Sequence, residues 1–89
     1  MSRMKVETTN EEINKVLDSY NTYFENGEIH MKCWCDSTLA FLVEMQQLLK
    51  LLGCEDIKHE CGVDEKAKPP YNYLFHAWGK NTIGKITPF

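Results

Sequence analysis

The 89-residue sequence holds no apolar run approaching the 18 or more residues that a membrane-spanning helix needs. Its opening, MSRMKVETTNEE, lacks the apolar stretch of a secretory signal, so a cytoplasmic setting is expected. Glycine is sparse, and Gly27, Gly53, Gly62, Gly79 and Gly84 make no phosphate-binding loop pattern. The three histidines, His30, His59 and His76, are scattered, and none sits in a recognisable motif with a nucleophilic serine or cysteine. These absences lean away from an enzyme. There is also no internal repeat, no low-complexity run and no linker between domains.

What is present suits one small globular domain over residues 1–89. A chain this short hides about 60–65% of its unfolded surface, which leaves little room for a deep active-site cavity. The hydrophobic share of 43% and charged share of 26% are those of a folded protein. The net charge of −3 conceals a split. Residues 1–65 hold all 13 acidic residues and 6 basic ones, a net −7, whereas residues 66–89 hold Lys66, Lys68, Lys80 and Lys85 and no acid, a net +4. Such polarity can drive association or lay a basic strip on an acidic body, and it can equally be a pair of solvated faces.

Along the chain, RMKVET alternates like a short strand. Thr9 and Glu12 have capping-box spacing, and Ile13, Val16, Leu17, Tyr20 and Phe24 then fall on one stripe, predicting a helix that Asn26 and Gly27 close. EIHMKCW reads as a strand, followed at Asp36 and Ser37 by helix-capping chemistry. Residues 38–52 predict a second helix whose apolar arc is wider than one sheet face requires. That arc is covered either by the rest of the chain or by a second copy, with Phe41, Met45, Leu48 and Leu52 as the expected self-association residues. EDIKHECGV predicts a strand, and the strand–helix–strand spacing from 28 to 63 fits a crossover between parallel neighbours. After the DEKAKPP loop, YNYLFHAW predicts an aromatic strand, GKN a turn, and TIGKITPF a last strand held at an edge by Pro88.

The cysteines raise the one question of intrinsic chemistry. Alternation puts Ile29, Met31, Cys33 and Cys35 on one strand face, and Ile57, His59, Cys61 and Val63 on one face of another. In a reducing compartment these thiols are free or bind metal. Three thiolates and an imidazole from Cys33, Cys35, His59 and Cys61 would be a valid tetrahedral zinc set, although residues two apart on a strand stand about 6.6 Å apart, wide for one ion and for a disulfide. The plainer reading is inert core cysteine, with no cofactor.

Tyr71, Tyr73 and Phe75 share one face of the aromatic strand, with His76 and Trp78 following and Lys66 and Lys68 nearby. Aromatics beside lysines can grip a protein partner or stack on nucleotide bases and single-stranded nucleic acid, against which stands the acidic whole, with a pI near 5.5. The alternative is that this face, or its reverse of Leu74, His76 and Trp78, packs against the helices.

NGEIHMKCW entering a strand, Asp36 starting a helix, Gly53 and Cys54 closing it, and PPYNYLF at a late strand resemble the small sulfur-carrier proteins of the TusA/SirA-like family over residues 3–78. The resemblance implies a two-layer α/β sandwich. That family carries Cys-Pro-x-Pro at the start of its first helix, where this chain has TTNE, so the resemblance implies the scaffold and not sulfur transfer. The resulting expectation is an α+β two-layer sandwich, two helices on one face of a mixed four- or five-stranded sheet, in the order β-α-β-α-β-β-β. Its expected role is that of a small acidic protein-binding module, inhibitor or adaptor as in phage-encoded proteins of this size, non-catalytic and self-associating. The alternatives are a zinc- or thiol-dependent protein and a nucleotide or single-stranded nucleic acid binder.

Overall fold

A computed structural model describes residues 3–36 and 38–81. Its elements are β1 (Met4–Lys5), α1 (Glu11–Ser19), β2 (Tyr23–Glu25), β3 (Glu28–Cys35), α2 (Leu39–Leu51), β4 (Glu55–Val63) and β5 (Tyr73–Lys80). The strands form one sheet in the order β1-β2-β3-β5-β4, with every neighbouring pair antiparallel. Both helices cover the same face, giving the expected two-layer α+β architecture. The strand expected over 82–89 lies outside the described residues.

The first helix is shorter than its apolar stripe suggested. Asn10 supplies the N-cap, its Oδ1 accepting from the backbone N–H groups of Glu12 at 2.9 Å and Ile13 at 3.3 Å. The capping role expected of Thr9 thus moves one residue along. The helix stops at Ser19, where the Thr22 hydroxyl and N–H both bond the Leu17 carbonyl and Asn21 takes a positive φ of 50°. Tyr23 to Glu25, assigned to this helix on periodicity, instead pair with β3 across Asn26 and Gly27. Both turn residues have positive φ, 55° and 75°, the geometry of a two-residue hairpin turn that follows the twist of the strands. Phe24 still reaches the core, but from a strand.

The crossover through α2 returns β4 in the same direction as β3, yet the two are not neighbours. β5 lies between them, pairing with Cys33 of β3 and Cys61 of β4 through the same residue, Phe75. Beneath the helices sit Ile29, Met31 and Cys35 of β3 with Phe75 and Ala77 of β5, against Leu17 and Tyr20 of the first helical segment and Leu42, Met45, Leu48, Leu49 and Leu52 of the second. Tyr20 Oη donates to Glu44 Oε1 at 2.7 Å and ties α1 to α2. The wide arc of α2 is only half used: Leu39, Phe41, Val43 and Leu51 stay exposed.

Small residues in β5 bring the helix C-terminus close. A Cβ on Gly79 would lie 2.7 Å from Cys54 Cβ and 3.1 Å from Ile57 Cγ1, so only hydrogen fits there. Gly62, on the edge strand, has nothing within 4 Å. Gly79→Ala is therefore expected to lower unfolding free energy by about 1–3 kcal/mol through overpacking. Gly62→Ala is expected to stay within about 0.5 kcal/mol of wild type, both read from urea denaturation.

Candidate binding face of the sheet

Strand alternation sends one set of side chains to the helices and the other to a face that neither α1 nor α2 covers. The second set comprises Tyr23 on β2, His30, Lys32 and Trp34 on β3, Leu74, His76 and Trp78 on β5, and Lys58 and Glu60 on β4. Register sorts them into rows: Tyr23, His30, Trp78 and Lys58 in one, and Lys32, His76 and Glu60 in the next. The rings then meet. Tyr23 stacks on His30 at 5.0 Å between centroids and 8° between planes, the His76 ring lies 5.2 Å from His30, and the Trp78 ring lies 4.6 Å from His76, tilted by 37°. Arg3 lies 4.3 Å over the Tyr23 ring, extending the array with a cation–π contact. Trp34, 45% exposed, stands further along, its indole N–H donating to Asp64 Oδ2 at 3.2 Å.

The two imidazoles form the centre of a polar chain. His76 Nδ1 is 3.2 Å from Glu60 Oε1, which makes it the donor to that carboxylate. In neutral His76 the other nitrogen, Nε2, is then an acceptor, and it lies 3.0 Å from His30 Nδ1, the donor. His30 Nε2 faces Glu28 Oε1 at 3.5 Å. One added proton on His30 is compatible with every link of the chain; a second, on His76, removes the acceptor of the central bond. Burial and then the neighbouring His76 lower the pKa of His30 from its ordinary 6.5, with Lys32 acting the same way and Glu28 and Glu25 opposing.

The remaining candidates do not converge. Because β5 separates β3 from β4, Cys33 and Cys35 stand two strand spacings, about 10 Å, from His59 and Cys61, with the Phe75 side chain between. Zinc ligands must approach within about 2.0–2.3 Å of one ion, which corrects the expected gathering beneath the helix. Among the described residues no three His, Cys, Asp or Glu side chains are grouped to hold a metal ion. Cys35 is buried, Cys33 half-buried and Cys61 exposed on the edge strand, while Gln46 Nε2 lies 2.8 Å from His59 Nδ1. Burial pushes the Cys33 thiol up to about 11, helped by Cys35, and burial likewise takes Cys54 to about 11. Both are protonated at neutral pH and poor nucleophiles.

Of the expected partner-binding residues, His76 and Trp78 join the open face. Phe75 is 2% exposed and belongs to the core; Tyr73 shares its side at the rim, Tyr71 is exposed beyond the strand, and Lys66 and Lys68 project from the β4–β5 connection. The ladder expected from Tyr71, Tyr73 and Phe75 is thus corrected, since alternation turns the latter two toward α2. Of the expected self-association residues, Met45, Leu48 and Leu52 are buried in their own core and cannot meet a second copy; only Phe41 is exposed. Tyr23, His30, Lys32 and Trp34 were missed as site residues. The signal that could have found Tyr23 was the Asn26-Gly27 pair between two alternating runs.

A cleft of about 330 Å³ lies at the opposite edge, lined by Met4, Lys5, Val6, Glu7, Phe24, Ile29 and Asn81. Its walls are largely apolar, and its two charged groups, Lys5 and Glu7, are paired with each other at 3.3 Å. It assembles no acid, base and nucleophile set. No helix among the described residues is long and apolar enough to cross a membrane. Comparison with protein-family models, with curated proteins and with solved structures finds no match to the chain.

The proton chain has a direct consequence. The unfolded histidine titrates near its ordinary 6.5 and the folded His30 lower, so the unfolded state takes up the proton first as pH falls through 6.5. Stability is expected to fall across the interval from 6.5 down to the folded value and to level off below it. His30→Gln, which keeps a donor toward His76, is expected to flatten that part of the profile in urea denaturation series run at several pH values.

Proposed function

We propose that this chain is a non-catalytic binding module that holds a protein partner on the helix-free face of its sheet, acting as an adaptor or inhibitor in a reducing, cytoplasmic setting. The observation that carries this reading is the contiguous array of Tyr23, His30, His76 and Trp78, flanked by Trp34 and Leu74, on a face that neither helix covers. Aromatic side chains that are half-buried and already ordered by stacking lose little freedom on binding, and tryptophan and tyrosine dominate protein interfaces for that reason. Mixed charge around the array, with Arg3, Lys32 and Lys58 among Glu25, Glu28 and Glu60, suits a protein surface of complementary pattern.

A second reading has its own support. Stacked rings with Arg3 over Tyr23 and Lys32 5.9 Å from the same ring are components of a base-stacking platform, which would take single-stranded nucleic acid. The carboxylates interleaved with these cations, and the net charge of −3, weigh against phosphate attraction and place this reading second.

Capture from the native host with the full chain, in parallel with Trp34→Ala and Lys32→Glu, separates the two. A protein retained after nuclease treatment, and bound about tenfold or more weakly by Trp34→Ala, is the expected outcome. Salt-sensitive binding of single-stranded oligonucleotides, with no nuclease-resistant protein, would transfer the face to the second reading.

A further inference from the structure

Among the described residues β4 hydrogen-bonds only with β5, so its nine residues form a long sheet edge. Asp64 donates its backbone N–H to the Asn72 carbonyl at 2.7 Å, and alternation from that bond turns the N–H and C=O groups of His59, Cys61 and Val63 outward along the edge. The register of β4 with β5 is interrupted between Glu55 and Lys58 and regular from Lys58 to Val63, and a regular edge of this kind is a template for another strand. We propose that it pairs antiparallel with β4 of a second copy, centred on His59, to give a continuous ten-stranded sheet.

Charge selects both the occupant and the register. With His59 at the two-fold axis, Lys58 stands opposite the partner's Glu60, and Glu60 opposite the partner's Lys58, all on the helix-free face. Shifting the centre to Lys58 sets that lysine against itself. Shifting it to Glu60 sets two glutamates against each other. Directly opposed side chains sit about 4.5–5.5 Å apart at Cβ, where opposite charges stabilise and like charges destabilise a pairing. The sequence of the edge strand is thus complementary to itself in one register and repulsive in the two adjacent ones.

The helix side of the same seam carries apolar surface. Gln46, bonded to His59, shares a helical stripe with Val43 and Leu39, which are 50% and 64% exposed. On the edge strand itself Cys61 and Val63 are exposed, the latter 58%. A second copy joined edge to edge would flank all four. Self-association expected of the second helix is thereby reassigned to the strand beside it. Lys58 and Glu60 belong to the open face as well as to the seam, whereas Trp34 and Lys32 lie outside the seam, so a dimer that Trp34→Ala leaves intact separates this proposal from the open-face reading.

Sedimentation equilibrium of the full chain over micromolar to millimolar concentrations tests it. The expected species has twice the 10.4 kDa chain mass. Lys58→Glu is expected to raise the dissociation constant about tenfold or more, and Lys58→Glu combined with Glu60→Lys to restore it. His59→Cys, in a Cys61→Ser background, is expected to give a disulfide-linked dimer on mild oxidation, since residues facing each other across such an axis have Cα atoms about 5.5 Å apart. A wild-type chain that stays at 10.4 kDa overturns the proposal, as does a dimer indifferent to Lys58→Glu or one that the charge swap fails to restore.

Discussion

The double hydrogen-bond ladder of β5 is the constraint on which the rest of the molecule depends. This strand pairs along its whole length with β3 on one side and with most of β4 on the other. Its helix-facing residues, Phe75, Ala77 and Gly79, decide how closely α2 can lie, and Gly79 admits the Cys54 end of that helix because it has no side chain to exclude it. Its other residues, Leu74, His76 and Trp78, decide what the open face displays. The same eight residues therefore supply the middle of the core and the middle of the candidate site.

Inserting β5 also settles the fate of the thiols. Had β3 and β4 been neighbours, Cys33 and Cys61 would have stood one strand spacing apart on the same face. With Phe75 between them, one becomes a half-buried thiol held protonated by its surroundings and the other an exposed group on an edge. On the opposite face the insertion has the reverse effect, because it brings His76 against His30 and completes a polar chain from Glu28 to Glu60. Imidazoles can stand half-buried there because each ring nitrogen faces a polar group. The order of that array, with rings in contact and few free rotors, is what supports the proposed role in recognition.

Much of the architecture is legible in the sequence. The sequence predicts a helix over residues 38–52 closed by Gly53, and the element runs from Leu39 to Leu51 with Gly53 at a φ of 82°. The strands carrying EIHMKCW and EDIKHECGV stand where alternation placed them, with Cys35 buried as parity required. Tyr23 to Glu25 failed for a definable reason: Phe24 fits a helical stripe and a strand face equally well, and periodicity over so few residues cannot choose. The Asn26-Gly27 turn chose. Asn10 displaced Thr9 as the N-cap in the same way, two capping side chains competing for one helix start and the local backbone deciding.

By itself the sequence determined which faces are apolar, where chain direction changes, and which residues share a side of each strand, because these follow from local geometry with periods of two and 3.6. Only the tertiary structure decided which strands are neighbours. Pairing order is a property of long-range contacts, and β5, last of the described strands, could have joined the edge of the sheet with no change to its own alternation. Its place in the middle is what parts the cysteines, joins the histidines and leaves β4 at the edge of the described strands. No pattern within a single segment carries that information.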